Sequence, residues 1–449
     1  MEHCDLLIEA GLILALDAAG TAIADGAIAV KGRDIAAIGK AETLRAAWSP
    51  ARRIGGRNRI ALPGLINVHN HTPLMITRGM IEDIGYAPAY TKGVPQGHRL
   101  SAEEAHLLSR LGMYEALRAG CTTVVDYYRY PEGCASAAAE LGLRATIGGR
   151  IHDADSEALS AGRYEHTTAT RDATLAETQA LIARWHGHDE GRIRCEYAPH
   201  APDTCSRGLL EEVAALAAKH GGNVHTHLAQ GPAENAIVLA REGLGSAQLL
   251  EAAGLLDRRL IAAHCIFLDP ADIARCGKAG ITVAHAPIGN ARSGMAAPIL
   301  ALREAGARIA LCTDTYSGDL FEAMRWAISI QRVREHGRFV LSAAEVLAWA
   351  TREGAAAIGL ADRIGSLETG KRADVILLDA DSPRLAPVVD GAGIVVHSAS
   401  GNDVRTAIVD GRVVLDDGAP TRADGAEIVR SAQAVASRLW AESGRPAVI

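Results

Sequence analysis

Eight short β-rich runs dominate the middle of the chain, and most of them are followed by an Ala- and Leu-rich amphipathic stretch. They are RIALPGLINVH (59–69), CTTVVDYY (121–128), RATIGGRIHD (144–153), IRCEYAPHAP (193–202), GGNVHTHLAQ (221–230), RLIAAHCIFLD (259–269), GITVAHAPIGN (280–290) and ARIALCTDT (307–315). Strands that alternate with helices predict a parallel sheet, and eight such units predict that the sheet closes into a (β/α)₈ barrel.

Both chain ends have a different texture. Residues 1–58 and 366–416 contain short strands separated by turn residues, and residues 428–441 are typical of a helix. Because β segments from the two ends can pair, we predict an α/β protein with a (β/α)₈ TIM barrel at 59–365. A small β-sandwich is predicted from 1–58 and 366–449, with a terminal helix in the second part.

Bulk properties exclude several classes of function. The formal charge of −7 over 449 residues gives no electrostatic footprint for nucleic acid. No apolar run approaches the roughly 18 residues of a membrane span, and no basic residue precedes Lys31 as a secretory signal requires. Eight scattered cysteines without paired spacing are typical of a reducing compartment. We therefore expect a cytoplasmic protein that binds neither nucleic acid nor membranes.

Residues capable of metal chemistry follow the strands at their C-terminal ends, where active sites form in this type of barrel. They are His69, His71, His200, His227, His264, His285 and Asp314. His69 and His71 alternate along a strand, so their imidazoles face the same way. Imidazole nitrogens with a carboxylate oxygen suit Zn²⁺ or Fe²⁺, and such an ion can activate a water molecule.

Seven motifs now carry a resemblance to a known family. In chain order they are PGLINVHNH, APHAPDTCS, HTHLAQ, AHCIFLD, VAHAPIGN, TDTYSGDLFEAMR and GSLETGKRADVILLD. Together they resemble the amidohydrolase superfamily, in the branch of adenosylhomocysteine, guanine and cytosine deaminases and s-triazine hydrolases, from about residue 5 to residue 416. The resemblance implies a metal-dependent hydrolase that cleaves a carbon–nitrogen bond, other than a peptide bond, in a small nitrogen-rich heterocyclic or amidine-like substrate.

The resemblance also implies a role for each matching residue. The implied metal ligands are His69, His71, His227 and Asp314. Asp314 also takes a proton from the attacking water. His264 resembles the sixth-strand histidine that hydrogen-bonds that water, or ligates the metal in some relatives, so Asp314 and His264 are the implied catalytic residues. His200 resembles a substrate-contacting residue of this branch. Gln230 stands at the end of the fifth run, His285 ends the seventh strand and Tyr316 follows the eighth run, so their positions favour a substrate-binding role as well.

The sequence favours one metal ion. Family members with two ions bridge them with a carboxylated lysine on a barrel strand, and this chain has no lysine between Lys92 and Lys219. Glu196 is the alternative bridge. His225, two residues before the implied ligand His227, is expected only to pack.

Two positions depart from the deaminase pattern, and one of them is the residue after Asp314, where the TDG common in deaminases is TDT. Purine and pyrimidine deaminases of this branch carry Glu three residues after the fifth-strand ligand, whereas this chain has Gln230. An amide cannot release a proton at neutral pH, although Glu234 lies one helical turn further on and is a possible substitute. Two alternatives therefore stay open, which are removal of halide, alkylamine or thioether from a triazine-like ring, and an inactive binding scaffold.

The substrate is not determined by these patterns. The long segment 72–100 between the first two strands is typical of a lid or pocket wall. Arg150, Asp153, Asp203, Arg292 and Tyr316 are further candidates for polar contacts with a small-molecule substrate. A homo-oligomer is expected only from the resemblance.

Overall fold

A computed structural model describes residues 1–84, 94–95, 100–315 and 317–444. The strands are β1 (Glu2–Leu14), β2 (Ala22–Lys31), β3 (Asp34–Lys40), β4 (Trp48–Pro63), β5 (Leu65–Asn70), β6 (Cys121–Tyr128), β7 (Arg144–Ile151), β8 (Ile193–Pro199), β9 (Val224–Leu228), β10 (Leu260–His264), β11 (Thr282–His285), β12 (Arg308–Leu311), β13 (Val375–Asp379), β14 (Val404–Val409), β15 (Arg412–Asp416) and β16 (Ala419–Pro420).

Most of the helices lie between or after the strands in the middle of the chain, and the last one follows β16. They are α1 (Ala41–Ala47), α2 (Ile81–Ile84), α3 (Ala102–Arg118), α4 (Pro131–Leu141), α5 (Ser156–Ser160), α6 (Thr168–Trp185), α7 (His188–Gly191), α8 (Arg207–His220), α9 (Pro232–Glu242), α10 (Ser246–Ala252), α11 (Pro270–Ala279), α12 (Pro287–Arg292), α13 (Ile299–Glu304), α14 (Leu320–Arg334), α15 (Ala343–Trp349), α16 (Arg352–Ala357), α17 (Gly391–Ser398) and α18 (Gly425–Glu442), with 3₁₀ turns at Thr72–Thr77 and Gly401–Asp403.

Strands β5 to β12 form a parallel sheet in simple chain order. The first and last strands meet through the Asn67 side chain, which accepts from the Thr313 N–H at 3.1 Å and donates to the Thr313 hydroxyl at 2.7 Å. The Asp314 N–H also donates to the carbonyl of His69 at 3.1 Å. The predicted barrel is thereby confirmed, and its closure brings residues at 69 and 314 side by side.

Several helices begin at a residue whose side chain caps the helix N-terminus. Ser101 forms a capping box with Glu104 at α3, and Ser206 and Asp269 accept from backbone N–H groups at the starts of α8 and α11. Such caps satisfy N–H groups that the helix itself leaves unpaired. Strands β6 and β7 are buried along their whole length, as expected for parallel strands covered on both faces.

The chain ends form a separate eight-stranded sheet with the order β16-β15-β14-β13-β4-β1-β2-β3. Only β1 and β4 are parallel neighbours. One face of this sheet carries an apolar cluster that contains sheet and loop residues but no helix residue, among them Ile8, Ile28, Val375 and Ile408. Because these side chains are fully buried, the two halves of the sheet must curl towards each other, as in a β-sandwich. The predicted separate sheet from both ends is confirmed.

Two boundaries differ in detail from the sequence runs. The run 59–69 is split, because Pro63 ends β4 in the outer sheet and only β5 enters the barrel. The terminal helix is longer than 428–441, and its Trp440 indole N–H donates to the carbonyl of Ile76 at 2.7 Å. The domain limits at 58/59 and 365/366 stay predictions.

A buried ion-pair group fastens the outer sheet to the barrel. Arg144, the first residue of β7, donates through Nε and Nη2 to the Asp374 carboxylate at 3.0 and 3.1 Å and also contacts Asp410. All three side chains are buried. Arg33 adds a contact to Asp410 at 3.3 Å.

Two absences follow from the described residues. No helix in this part of the chain is long and apolar enough to cross a bilayer. All eight cysteines are buried and free, as expected from their spacing.

Candidate metal centre

Five of the predicted residues meet at the C-terminal end of the barrel. They are His69 and His71 at the end of β5, His227 in β9, His264 at the end of β10 and Asp314 after β12. None of the five is more than 7% exposed.

Their side-chain tips converge on one small space. His71 Nε2 lies 3.2 Å from His227 Nε2, and Asp314 Oδ1 lies 3.6 Å from His69 Nε2 and 3.7 Å from His71 Nε2. Asp314 Oδ2 faces the other way, 4.0 Å from His264 Nε2. Two overlapping sets have ligand atoms within 4.8 Å of one another, namely His69, His71 and His227, and His69, His264 and Asp314.

The opposite ring nitrogen of each histidine has a partner. Nδ1 of His71 lies 2.6 Å from the Tyr127 carbonyl, and Nδ1 of His227 lies 2.7 Å from the His200 carbonyl. Nδ1 of His264 lies 3.1 Å from Asn290 Oδ1, and Nδ1 of His69 lies 2.9 Å from His225 Nε2. These contacts aim all four Nε2 atoms at the central space.

The chemistry of this donor set fits a divalent cation. Nε2 of His69 and Nε2 of His264 are buried without a hydrogen-bond partner among the described residues, a condition that costs free energy unless another group pairs with them. Burial lowers the pKa of His69, His71 and His227 well below the usual range. These imidazoles are therefore neutral, which is the form that binds a metal ion.

Backbone strain is concentrated at the same place. His264 and Asp314 have φ values of 73° and 60°, and Ala229 in the β9–α9 loop has φ 51°. Non-glycine residues in the left-handed region cost of the order of 1–3 kcal/mol each and persist where surrounding structure fixes them, often at functional sites. The strain is therefore consistent with a position that is held for chemistry.

The predicted substrate-binding residues have different surroundings. His200 is half-buried beside His227, with ring centroids 4.9 Å apart, and its Nε2 accepts from Arg150 Nη2 at 2.8 Å. His285 is buried, neither of its ring nitrogens has a hydrogen-bond partner in the part of the chain that the structure describes, and burial lowers its pKa to about 3. Gln230 is half-buried in the loop before α9. Tyr316 lies outside the described residues, as does most of 85–99 in the segment 72–100.

Three further candidates for polar contacts have protein partners. Asp153 contacts His166 at 2.7 Å and accepts from the Ser206 hydroxyl. Arg292 is 3.6 Å from Glu82. Asp203 has the Tyr164 hydroxyl as a side-chain hydrogen-bond partner.

Two of the sequence expectations need correction. Glu196 does not reach the metal space as a bridge; its Oε1 lies 3.2 Å from His225 Nδ1. His225 does more than pack, because its other nitrogen contacts His69. Glu234 accepts from the N–H groups of Ala229 and Gln230 at 2.8 and 3.0 Å, so its carboxyl group holds the β9–α9 loop.

Sequence reasoning missed two neighbours of the site. The Tyr127 hydroxyl lies 2.6 Å from His227 Nδ1 and 3.1 Å from its Nε2, and Asn290 holds His264. Tyr127 stands one residue before the end of β6, and this strand-end position was the available signal.

The comparisons with known proteins agree with this arrangement. A profile described as the amidohydrolase family matches residues 60–414. The chain is 32% identical to a 5'-deoxyadenosine deaminase of Methanosarcina barkeri, over 97% of this chain and 98% of that one. It is 34% identical to a 5-methylthioadenosine/S-adenosylhomocysteine deaminase of Syntrophobacter fumaroxidans, over 92% and 94%. An adenosine deaminase structure from Xanthomonas campestris with bound zinc superposes with a TM-score of 0.87 at 28% identity, covering 98% and 99%.

The chain therefore belongs to the amidohydrolase family. It is a metal-dependent hydrolase that acts on carbon–nitrogen bonds other than peptide bonds, by hydrolytic deamination.

Proposed function

We propose that this enzyme deaminates the purine ring of an adenosine derivative and releases ammonia. The observation that carries the proposal is the convergence of four buried imidazoles and one carboxylate on one space at the barrel mouth. The named activities of relatives that align over nearly the whole chain support the substrate class. The eight buried free cysteines support a cytoplasmic setting.

We propose that His69, His71, His227 and Asp314 hold one ion, Zn²⁺ or Fe²⁺. The position of Glu196 supports a single ion, because its Oε1 lies 3.2 Å from His225 Nδ1 and its carboxylate belongs to neither set of convergent ligand atoms among the described residues. In barrels of this type, a bound ion can lower the pKa of a water molecule to about 7.

Asp314 and His264 divide the proton chemistry between them. Asp314 Oδ1 faces the ligand imidazoles, whereas Oδ2 faces His264 Nε2, so Oδ2 is the atom that takes the proton of the attacking water. That proton then passes to the leaving amine, which departs as ammonia while the ring carbon gains oxygen. His264 is oriented by Asn290 and keeps Nε2 directed at the water. His200, Gln230, His285 and Tyr316 are proposed to contact the substrate.

The first prediction concerns metal content. We expect close to one divalent ion per chain, because the two overlapping ligand sets among the described residues share His69 and converge on one space. Elemental analysis of protein purified without added metal measures this ratio. Two tightly held ions per chain would contradict the proposal of a single-ion site.

The second prediction concerns Gln230. As a neutral amide it can recognise a ring nitrogen but cannot carry the proton, and such a hydrogen bond contributes roughly 0.5–1.5 kcal/mol. Gln230→Ala is therefore expected to raise KM, with a loss of kcat/KM of about tenfold at most. Steady-state kinetics on the true substrate decide this. Gln248→Ala on α10 is the control, because it removes another half-buried glutamine side chain. A thousandfold fall in kcat with unchanged KM would show that Gln230 takes part in proton transfer.

The test of the function is a substrate screen in which the released group is identified. Adenosine, 5'-deoxyadenosine, 5-methylthioadenosine and S-adenosylhomocysteine are compared with guanine, cytosine and substituted triazines. Ammonia from an adenosine derivative supports the proposal.

The observation that favours a second function is Gln230, because a halide leaves without needing a proton. Release of halide, alkylamine or thiol from a triazine, without ammonia from any purine, would establish that alternative instead.

A further inference from the structure

His69 differs from the other histidines of the site in what holds its far nitrogen. Nδ1 of His71 faces a backbone carbonyl, Nδ1 of His227 faces a backbone carbonyl and the Tyr127 hydroxyl, and Nδ1 of His264 faces an amide oxygen. The carbonyl and amide oxygens accept hydrogen bonds but cannot donate them, so each favours a proton on Nδ1 of its histidine. The partner of His69 is His225 Nε2 at 2.9 Å, which can either donate or accept.

Glu196 removes this ambiguity. Its Oε1 lies 3.2 Å from His225 Nδ1, and a carboxylate oxygen accepts, so the proton of a neutral His225 belongs on Nδ1. His225 Nε2 is then a lone-pair acceptor for His69 Nδ1–H, and the lone pair of His69 Nε2 faces the central space. The opposite arrangement would set the His225 Nδ1 lone pair against the carboxylate and would place a proton on His69 Nε2.

Among the described residues, the side-chain hydrogen-bonding contacts of His225 are those to His69 and Glu196. Glu196 on β8, His225 on β9 and His69 on β5 are each at most 1% exposed, so the three groups meet inside the barrel beneath the metal space. We propose that Glu196 and His225 are positioning residues that hold His69 in its metal-binding tautomer. The inference rests on the proposed metal ligands and goes beyond them.

Zinc affinity of the folded enzyme, measured by competition with a chelator, tests the proposal without any substrate. Glu196→Leu removes the acceptor and is expected to weaken zinc binding about 10–100-fold, the usual effect of losing such an outer partner. Glu196→Gln keeps an accepting carbonyl oxygen and is expected to bind close to wild type. Cys195→Ala is the matched control, because Cys195 is the preceding residue of β8 and packs in the apolar cluster outside the barrel.

The outcomes separate this inference from the proposed function. Weak binding by Glu196→Leu alone supports it, whereas wild-type affinity in the folded Glu196→Leu variant overturns it. A wild-type protein that binds no zinc contradicts the proposed function instead. If Glu196→Leu fails to fold, nitrogen-15 NMR of the zinc-loaded wild type decides, since a His225 proton on Nδ1 supports the proposal and a proton on Nε2 overturns it.

Discussion

Asp314→Asn is expected to lower kcat by about 10²–10⁴-fold, the typical effect of losing a general acid–base group. The amide keeps the size of the side chain and one oxygen towards His69 and His71, but it cannot take the proton of water at the Oδ2 position. The measurement is steady-state turnover on the identified substrate, with the metal content of each preparation determined in parallel so that proton transfer is separated from metal loss.

Asp319→Asn is the matched control for Asp314→Asn. Asp319 caps α14 by accepting from the N–H groups of Phe321 and Glu322, and asparagine serves equally well as a cap. Its activity should be close to wild type. Turnover within tenfold of wild type by a metal-loaded Asp314→Asn protein would remove Asp314 from the proton path.

Arg144→Met is expected to reduce the free energy of unfolding by about 3–5 kcal/mol, because it leaves buried carboxylates without their main counter-charge. Arg144 is 4% exposed, and Asp374 and Asp410 are 4% and 2% exposed. The value is measured by urea denaturation of the metal-loaded protein followed by circular dichroism. Arg144 begins β7, whereas the metal-site residues lie at the C-terminal ends of the barrel strands. The activity per folded molecule should therefore be retained.

Arg52→Met provides the comparison for Arg144→Met. Arg52 pairs with Asp416 at 2.9 Å, but both side chains are about half exposed, and exposed pairs typically contribute about 0–1 kcal/mol. A loss of less than about 1 kcal/mol for Arg144→Met as well would show that the remaining ion pairs, those of Arg33 and Arg372 with Asp410, compensate the loss of Arg144.

Hydrolytic deamination needs a proton for the leaving amine, and the amide of Gln230 cannot supply it. Both oxygens of Glu234 accept hydrogen bonds from backbone N–H groups, which supports our proposal that this residue holds the β9–α9 loop and does not act as the acid. Burial raises the pKa of Glu234 to about 8, with a further contribution from Asp203. We therefore propose that Asp314 supplies the proton for the leaving amine, which makes the two variants Gln230→Ala and Asp314→Asn complementary tests.

The local sequence pattern determined the barrel and its metal-binding candidates. Alternation of β runs and helices is a property of neighbouring residues, and parallel strands place their C-terminal ends on one face. The sequence alone therefore assigns the histidines at 69, 71, 227 and 264 and the carboxylate at 314 to one site.

Only the tertiary structure decided which groups stand behind those residues. Glu196 and His225 meet His69 because the barrel closes, Asn290 reaches His264 from a helix after the next strand, and Glu234 turns back to its own loop. These contacts depend on strand register, closure and side-chain direction across large separations in the chain. Periodicity records which face of its own strand a residue occupies, but it carries no information about the partner that the folded barrel brings to that face.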